Sequence, residues 1–277
     1  MRQPDNLTYE VSSSRGAPAV LFLHGFMGSS ADWRDVTAAL GDRAFCIALD
    51  LPGHGASLGL RPEAYTIEES ARAVIHVLDE LRVQRPVMVG YSMGGRLALY
   101  MALRRPERCA GLFLESASPG LESEEELTAR RASDEEKAKR LETEGLEAFL
   151  LDWYRQPLFA SLAREEGLLR QTIEARRRNY PEELARSLRG MGTGSQPSLW
   201  QELKGLAVPT LAVAGELDEK YAAISSRMAG ISPRVEPMTI PKVGHNVHGE
   251  APEEYAALLR RFVNGLSLAL GEAEPVP

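Results

Sequence analysis

The sequence predicts an α/β fold, with a mostly parallel central sheet, helices on both faces and an inserted helical cap. Short apolar runs ending in Gly or Asp alternate with amphipathic stretches, which is typical of parallel strands joined by crossover helices. This rhythm stops after Ser118 and resumes near Trp200, and the residues between them are rich in Glu, Arg, Leu and Ala at helical spacing. We therefore expect a core of residues 1–118 and 198–277, with residues 119–197 as the cap.

The composition is that of a folded globular protein. The chain has 277 residues, of which 44% are hydrophobic and 26% charged, enough for one large domain with an insert. A net charge of -7 disfavours a general affinity for nucleic acid or anionic membranes. No apolar run approaches the ~20 residues needed to span a bilayer, and the first ten residues lack the apolar centre of a signal peptide.

These features predict a cytoplasmic protein with no nucleic-acid partner and no membrane insertion. Cys46 and Cys109 lie far apart in aliphatic surroundings, which favours two reduced core thiols over a disulfide.

The individual elements follow from the hydrophobic pattern. We expect an edge hairpin that uses residues 7–11. Strands are predicted over residues 19–24, 45–50, 87–90, 111–115, 210–215 and 235–240. Helices are predicted over residues 33–40, 66–81, 94–105, 221–230 and 252–270.

A G-x-S-x-G motif with Ser92 at its centre lies directly after one predicted strand and directly before a helix. This context is typical of the nucleophile turn of the α/β-hydrolase fold, in which small residues at Gly90 and Gly94 let the strand and helix approach. The alternative is a glycine-rich turn in which the serine only caps the helix.

A serine hydroxyl needs an imidazole to take its proton and an acid to orient that imidazole. In this fold the chain order is serine, acid, histidine. His245 follows the last predicted strand and therefore has the required position. Of the other histidines, His24 is assigned to the loop after the first long strand and His54 to a structural turn. His76 is assigned to a helix and His248 to the rim of the site.

Asp218 is the preferred acid, because it lies in the loop after the strand 210–215. Glu216 and Glu219 are the competing carboxylates in the same loop. The backbone N–H groups of Met93, after the nucleophile, and Phe26, in the His24 loop, are the expected oxyanion hole.

Arg96 lies four residues after Ser92, on the same face of the following helix. From spacing alone, an ion pair with a framework carboxylate and a role in substrate binding are about equally favoured. The cap contains further arginines at 130–131 and 176–178, and for these the pattern alone favours a solvated helical surface.

Five segments together resemble the 2-succinyl-6-hydroxy-2,4-cyclohexadiene-1-carboxylate (SHCHC) synthase family of menaquinone biosynthesis, often called MenH. The resemblance extends over nearly the whole chain, and its more specific parts are the Tyr-Ser-Met-Gly-Gly-Arg string and the Trp-Tyr-x-Gln-Pro string in the cap. The segments are GYSMGGR at 90–96, HGFMG at 24–28, DWYRQPLF at 152–159, GELD at 215–218 and GHNVH at 244–248.

The resemblance implies a lyase that eliminates pyruvate from 2-succinyl-5-enolpyruvyl-6-hydroxy-3-cyclohexene-1-carboxylate, a substrate with three carboxylates. It implies no cofactor and no metal. Arg96, Arg130 and Arg177 match the family's carboxylate-binding arginines, although Arg131, Arg176 and Arg178 are adjacent to the last two. Tyr91 and Trp153 match residues that contact the substrate.

The resemblance further implies that Ser92, activated by His245, acts as a base on a ring proton rather than as an acylated nucleophile. Two other functions remain open from the residues. One is a carboxylester or C–C bond hydrolase that uses the same triad, and the other is a non-catalytic receptor of the same fold that binds a small molecule under the cap.

Overall fold

In the computed structural model, which describes residues 6–12, 14 and 16–270, seven strands of the described chain form one sheet. Their order across the sheet is β1-β3-β2-β4-β5-β6-β7, and every neighbouring pair is parallel except β1 with β3. The predicted α/β fold with a mostly parallel sheet is therefore confirmed. The strands are β1 Tyr9–Val11, β2 Ala19–Leu23, β3 Phe45–Leu49, β4 Val87–Tyr91, β5 Gly111–Glu115, β6 Thr210–Gly215 and β7 Val235–Ile240.

Helices cover both faces of the sheet because side chains along each strand point alternately to the two sides. In β2, Leu21 and Leu23 join one apolar cluster, whereas Val20 and Phe22 join the other. The helices outside the cap are α1 Arg34–Leu40, α2 Ile67–Glu80, α3 Met93–Arg104, α8 Glu219–Ile231, the short α9 Val247–Glu250 and α10 Pro252–Leu270. Residues of α2, α3 and α8 pack on the face of Leu21, and those of α1 and α10 pack on the face of Phe22.

The edge of the sheet differs from the predicted hairpin. Residues 9–11 do form a strand, but β1 pairs antiparallel with β3, with Tyr9 opposite Leu49 and Val11 opposite Ile47. The physical reason is that β2 is already bonded on both sides, to β3 and β4. The N-terminal strand therefore pairs with the free edge of β3.

Four helices lie between β5 and β6, within the predicted cap: α4 Glu124–Glu144, α5 Leu146–Trp153, α6 Glu166–Arg176 and α7 Pro181–Met191. They surround an apolar cluster of their own, which includes Leu141, Leu150 and Leu184 and also takes in Met27 of the core. The cap interior thus packs against the loop that follows β2. The division at residues 119–197 stays a prediction, but these helices lie over the carboxyl ends of the strands, where open α/β sheets bind ligands.

The two cysteines are buried free thiols, and burial raises the pKa of both Cys46 and Cys109 to about 12. Within the described residues, no helix is long and apolar enough to cross a membrane. The described chain also contains no group of three or more His, Cys, Asp or Glu side chains arranged to hold a metal ion.

Candidate active site

Ser92 occupies a strained turn between β4 and α3, with φ 48° and ψ -105°. Such a conformation costs a non-glycine residue on the order of 1–3 kcal/mol, and it persists only where the surrounding structure imposes it. The two flanking glycines allow the turn to form. A Cβ at Gly90 would lie 2.6 Å from the backbone of Gly95, and one at Gly94 would lie 2.1 Å from the carbonyl oxygen of Leu23.

His245 and Asp218 complete a hydrogen-bonded chain with this serine. The His245 Nε2 atom lies 3.3 Å from the Ser92 Oγ atom, and the His245 Nδ1 atom lies 2.6 Å from the Asp218 Oδ2 atom. His245 and Asp218 are both almost fully buried. Because Asp218 accepts a hydrogen bond from the His245 Nδ1 atom, the neutral imidazole carries its proton on Nδ1. The unprotonated Nε2 atom then faces the serine.

The structure brings none of the competing groups to this position. Glu216 and Glu219 are exposed, and Glu216 accepts the backbone N–H of Lys242 instead. His76 lies on the exposed side of α2, 3.6 Å from Glu80.

His24 and His54 are buried neutral groups beside the site. The Leu51 N–H donates to His24 Nε2 at 3.0 Å, so His24 carries its proton on Nδ1 and donates to the Gly25 carbonyl at 2.7 Å. Burial lowers the pKa of His24 and lowers that of His54 well below its ordinary value, and the positive charge of Arg176 lowers both further.

The predicted oxyanion loop lies against the nucleophile. A Cβ at Gly25 would be 2.6 Å from the Tyr91 ring and 3.6 Å from the Ser92 Cβ. Phe26 follows Gly25 in this loop, and Met93 is the first residue of α3, where amides have no acceptor within the helix. The two predicted donors thus belong to segments that meet at Ser92.

Arg96 is buried on α3 and has no carboxylate within 4 Å among the residues that the structure describes. Its guanidinium donates to the Gln196 Oε1 atom at 3.1 Å and to the Met191 carbonyl at 2.8 Å. Burial lowers the pKa of Arg96 to about 10, so the group remains charged at neutral pH. The spacing left open an ion pair between Arg96 and a framework carboxylate. The structure therefore does not show that ion pair.

Arg130, in helix α4 of the cap, lies on the same side of the triad as Arg96. Its Nε atom donates to Asp134 at 2.7 Å, and its charge lowers the pKa of Arg96 as a secondary cause. The Tyr221 ring lies 4.8 Å from that of His245. Burial raises the pKa of the Tyr221 hydroxyl, and the positive charges of Arg96 and Arg130 oppose this rise. Two of the three predicted arginines thus meet on the Tyr221 side of the triad.

The structure turns Arg176, rather than the predicted Arg177, toward the interior of the protein. The structure does not bring Arg177 to the site: its side chain is 47% exposed and pairs with Glu147 and Glu174 on the outside of the cap. Arg176, the last residue of α6, turns inward and is 8% exposed, with its Nη1 atom 2.6 Å from the Asp32 Oδ1 atom. The physical reason is helix phase, because consecutive residues of a helix point about 100° apart.

The predicted contact residue Tyr91 lies next to the triad, and Trp153 lies next to the predicted oxyanion loop. The Tyr91 ring lies 5.4 Å from that of His245, and burial raises the pKa of its hydroxyl well above the ordinary value. The ring of Trp153 lies 5.3 Å from that of Phe26. The cap and the oxyanion loop therefore share an aromatic contact.

Sequence reasoning missed several neighbours of the triad. Tyr221, Tyr154 and Phe159 adjoin His245 or Arg176, and Asp32 pairs with Arg176 across the boundary between cap and core. Asp32 lies four residues after the oxyanion loop, and this position in the sequence could have identified it as a residue near the site. The ring contacts depend on how the cap docks, which no local pattern specifies.

The chain is similar to known proteins in both sequence and structure. The family model described as the alpha/beta hydrolase fold matches residues 18–252. A Bacillus subtilis (strain 168) protein named as a candidate 2-succinyl-6-hydroxy-2,4-cyclohexadiene-1-carboxylate synthase is 37% identical over 95% of this chain and 97% of its own. The enzyme of that name from Enterobacter sp. (strain 638) is 35% identical over 90% of this chain and 92% of its own.

Among solved structures, MenH from S. aureus superposes with a TM-score of 0.89 and 33% identity, covering 95% of this chain and 99% of that one. The similarity therefore includes the cap as well as the core.

Proposed function

We propose that this chain, which belongs to the α/β-hydrolase fold and within it to the SHCHC synthase family, catalyses the SHCHC synthase reaction. In that reaction, pyruvate is eliminated from 2-succinyl-5-enolpyruvyl-6-hydroxy-3-cyclohexene-1-carboxylate. The chain is thus a lyase on a scaffold best known for hydrolysis.

Ser92 and His245 are the proposed base. The imidazole Nε2 withdraws the hydroxyl proton as the serine oxygen takes the ring proton next to the succinyl ketone. Asp218, hydrogen-bonded at Nδ1, holds the tautomer and offsets the positive charge that develops on the imidazole. A general base of this kind contributes roughly 10² to 10⁴ fold to the rate.

Negative charge moves onto the ketone oxygen when the proton leaves. The Phe26 and Met93 amides are the proposed donors to that oxygen, and such a donor contributes on the order of 10² to 10³ fold. The enolate electrons then form a double bond from the deprotonated ring carbon to its neighbour, the existing ring double bond shifts one position along the ring, and the bond to the enolpyruvyl oxygen breaks. Enolpyruvate leaves and becomes pyruvate on protonation, so no acyl-enzyme forms.

The observation that carries the proposal is Arg96, a buried cation near the nucleophile that has only carbonyl oxygens as partners among the described residues. The Asp134 charge raises the pKa of Arg96 only as the last of its causes, so burial of this cation stays costly, and an anionic ligand group in direct contact would lower that cost. Arg130 and Arg176 lie on either side of the triad, and each is paired with a carboxylate of the protein, Asp134 and Asp32 respectively. The proposed substrate class is therefore a tricarboxylate, held by arginines Arg96, Arg130 and Arg176 rather than by Arg177.

The proposal includes a cytoplasmic site of action. The buried free thiols Cys46 and Cys109 agree with a reducing compartment.

The test is to supply the enolpyruvyl substrate and follow pyruvate release by the protein and by its Ser92→Ala variant. We expect rapid release by the former and a loss of about 10³ fold or more in the variant. Hydrolysis of simple activated esters without pyruvate release would assign the triad to a hydrolase instead. Ligand binding without any turnover would assign the chain to a receptor.

A further inference from the structure

A second acid–histidine pair is buried directly behind the triad, and the mechanism above makes no use of it. Glu115 ends β5 and is fully buried, and His248 lies in α9 and is 5% exposed. The His248 Nδ1 atom lies 2.9 Å from the Glu115 Oε1 atom and 2.8 Å from Oε2. The backbone N–H of His248 also donates to Oε1, at 3.1 Å.

Glu115 is also bonded to the nucleophile through its main chain. Its carbonyl oxygen accepts the backbone N–H of Ser92 at 2.8 Å. Its side chain holds His248, which lies three residues after His245, in the short helix α9 that follows the histidine loop. The next residue, Ser116, donates its hydroxyl to the His245 carbonyl at 3.0 Å. Two consecutive residues at the end of β5 thus attach both the serine turn and the histidine loop.

The imidazole of His248 is fixed by rings as well as by the carboxylate. It stacks on Trp33 with centroids 4.4 Å apart, and meets Tyr91 edge-on at 4.9 Å. Tyr91 in turn contacts the His245 ring. Burying an ionisable pair is weak evidence for stability, since apolar residues of similar volume often serve as well. The contacts of this pair instead point to placement of the neighbouring groups.

We propose that Glu115 and His248 are positioning residues that set the 3.3 Å separation between His245 Nε2 and Ser92 Oγ. They act through the backbone of the histidine loop and the serine turn, and they touch no reacting atom. This inference goes beyond the proposed function, because it holds for any reaction that uses Ser92 and His245.

The test measures how fast an alkyl fluorophosphonate labels Ser92. The Ser92 Oγ–P bond forms, the P–F bond breaks, fluoride leaves and the serine proton passes to His245. Labelling therefore depends on the alignment of the two side chains, but it requires neither the enolpyruvyl substrate nor its elimination.

Two variants disturb the pair in different ways. Glu115→Gln places an amide N–H₂ against the donors of His248, and His248→Phe keeps a ring between Trp33 and Tyr91 but removes the Nδ1 donor. We expect each to slow labelling by about 10- to 100-fold, the loss typical of a misplacement of about 1 Å. With the enolpyruvyl substrate, kcat should fall by a similar factor while KM changes by less than about threefold.

Leu78→Ala is the control, since it truncates a fully buried side chain in α2 and destabilises the fold without touching the pair. Its labelling rate should remain that of the unmodified protein at a temperature where all variants are folded. If one of the two pair variants does not fold, the other decides the test.

Unchanged labelling in the pair variants, or equal slowing in Leu78→Ala, would overturn the inference. A chain that releases no pyruvate but loses labelling in the pair variants would overturn the proposed function and leave this inference standing.

Discussion

The hydrogen bond from His245 to Asp218 decides which imidazole nitrogen carries the proton, and Asp218→Asn tests this at the scale of one residue. An amide at this position can donate to Nδ1 and so favour the wrong tautomer, which leaves no acceptor at Nε2 for the serine proton. We expect kcat for pyruvate release to fall by about 10⁴ fold at neutral pH, with little loss of stability.

The matched control for this variant is Glu216→Gln, which alters the exposed carboxylate two residues earlier. It should leave kcat within about twofold, because surface substitutions rarely matter. If Glu216→Gln were the damaging variant, the assignment of the acid would be wrong.

The adjacent residues Arg176 and Arg177 allow a second test, in which one serves as the control for the other. Arg176→Ala removes the partner of the buried Asp32 carboxylate and one proposed substrate contact. We expect it to lower the free energy of unfolding by about 3–5 kcal/mol and kcat/KM by about 10- to 100-fold. Arg177→Ala should change neither measurably, since its ion pairs are exposed.

The reverse order, with Arg177→Ala the damaging change in kcat/KM, would restore the assignment made from the sequence. Denaturant unfolding and steady-state kinetics on both variants supply the comparison.

At this scale the sequence located residues whose place follows from a motif. Ser92, His245 and Asp218 each follow a strand whose end is readable from the apolar pattern, and the structure brings them within hydrogen-bonding distance. Their catalytic roles stay predictions. Arg176 could not be separated from Arg177, because the phase of α6 against the core depends on how the cap packs.

Among the elements, the turn between β4 and α3 depends most on close packing of backbone. Gly94→Ala would put a methyl group 2.1 Å from the Leu23 carbonyl oxygen, at the strand that leads into the oxyanion loop. We expect a loss of about 1–3 kcal/mol in unfolding free energy, as overpacking typically gives, together with a marked loss of kcat.

Gly265→Ala is the corresponding control, because nothing lies within 4 Å of the added Cβ in α10. Replacing a helical glycine there should stabilise the protein by about 0.5–1 kcal/mol and leave kcat unchanged. Equal effects of the two substitutions on kcat would argue that the tight turn is not what positions Ser92.

Element boundaries were predicted well where caps and periodicity agree. The Thr66 hydroxyl accepts the Glu69 N–H at the start of α2, as a residue before a helix does. The hairpin at residues 7–11 was wrong, because the pairing of β1 with β3 is a long-range contact. Alternating side chains reveal a strand but not its partner.

For the whole molecule, the buried neutral histidines make stability depend on pH. Burial lowers the pKa of His24 and His54 in the folded state, whereas in the unfolded chain they bind a proton below about pH 6.5. The unfolded state therefore binds more protons, and stability is lost as pH falls through about 6.5. The melting temperature should drop between about pH 7.5 and pH 5.5.

His54→Asn should make this dependence shallower, because it removes one titrating group and keeps a donor for the Pro52 carbonyl. His76→Asn, on the exposed side of α2, should leave the slope as it is. A melting temperature that does not change over this range, or the same slope in His54→Asn, would contradict the linkage.

The fold of the whole chain and its membership of the synthase family could be predicted from the strand rhythm and five short segments. The contacts between cap and core could not. Asp32 with Arg176 and Asn179 with the Met27 carbonyl join residues more than a hundred positions apart, and their geometry depends on the packing of α4 to α7 over the sheet.

The most direct test of the central claim compares two reactions of the Arg96→Ala variant, pyruvate release from the enolpyruvyl substrate and fluorophosphonate labelling of Ser92. If Arg96 is a buried cation that holds a substrate carboxylate, kcat/KM for pyruvate release should fall by about 10- to 100-fold while labelling changes little. Equal losses in both would show that Arg96 instead maintains the serine turn, and would contradict the account.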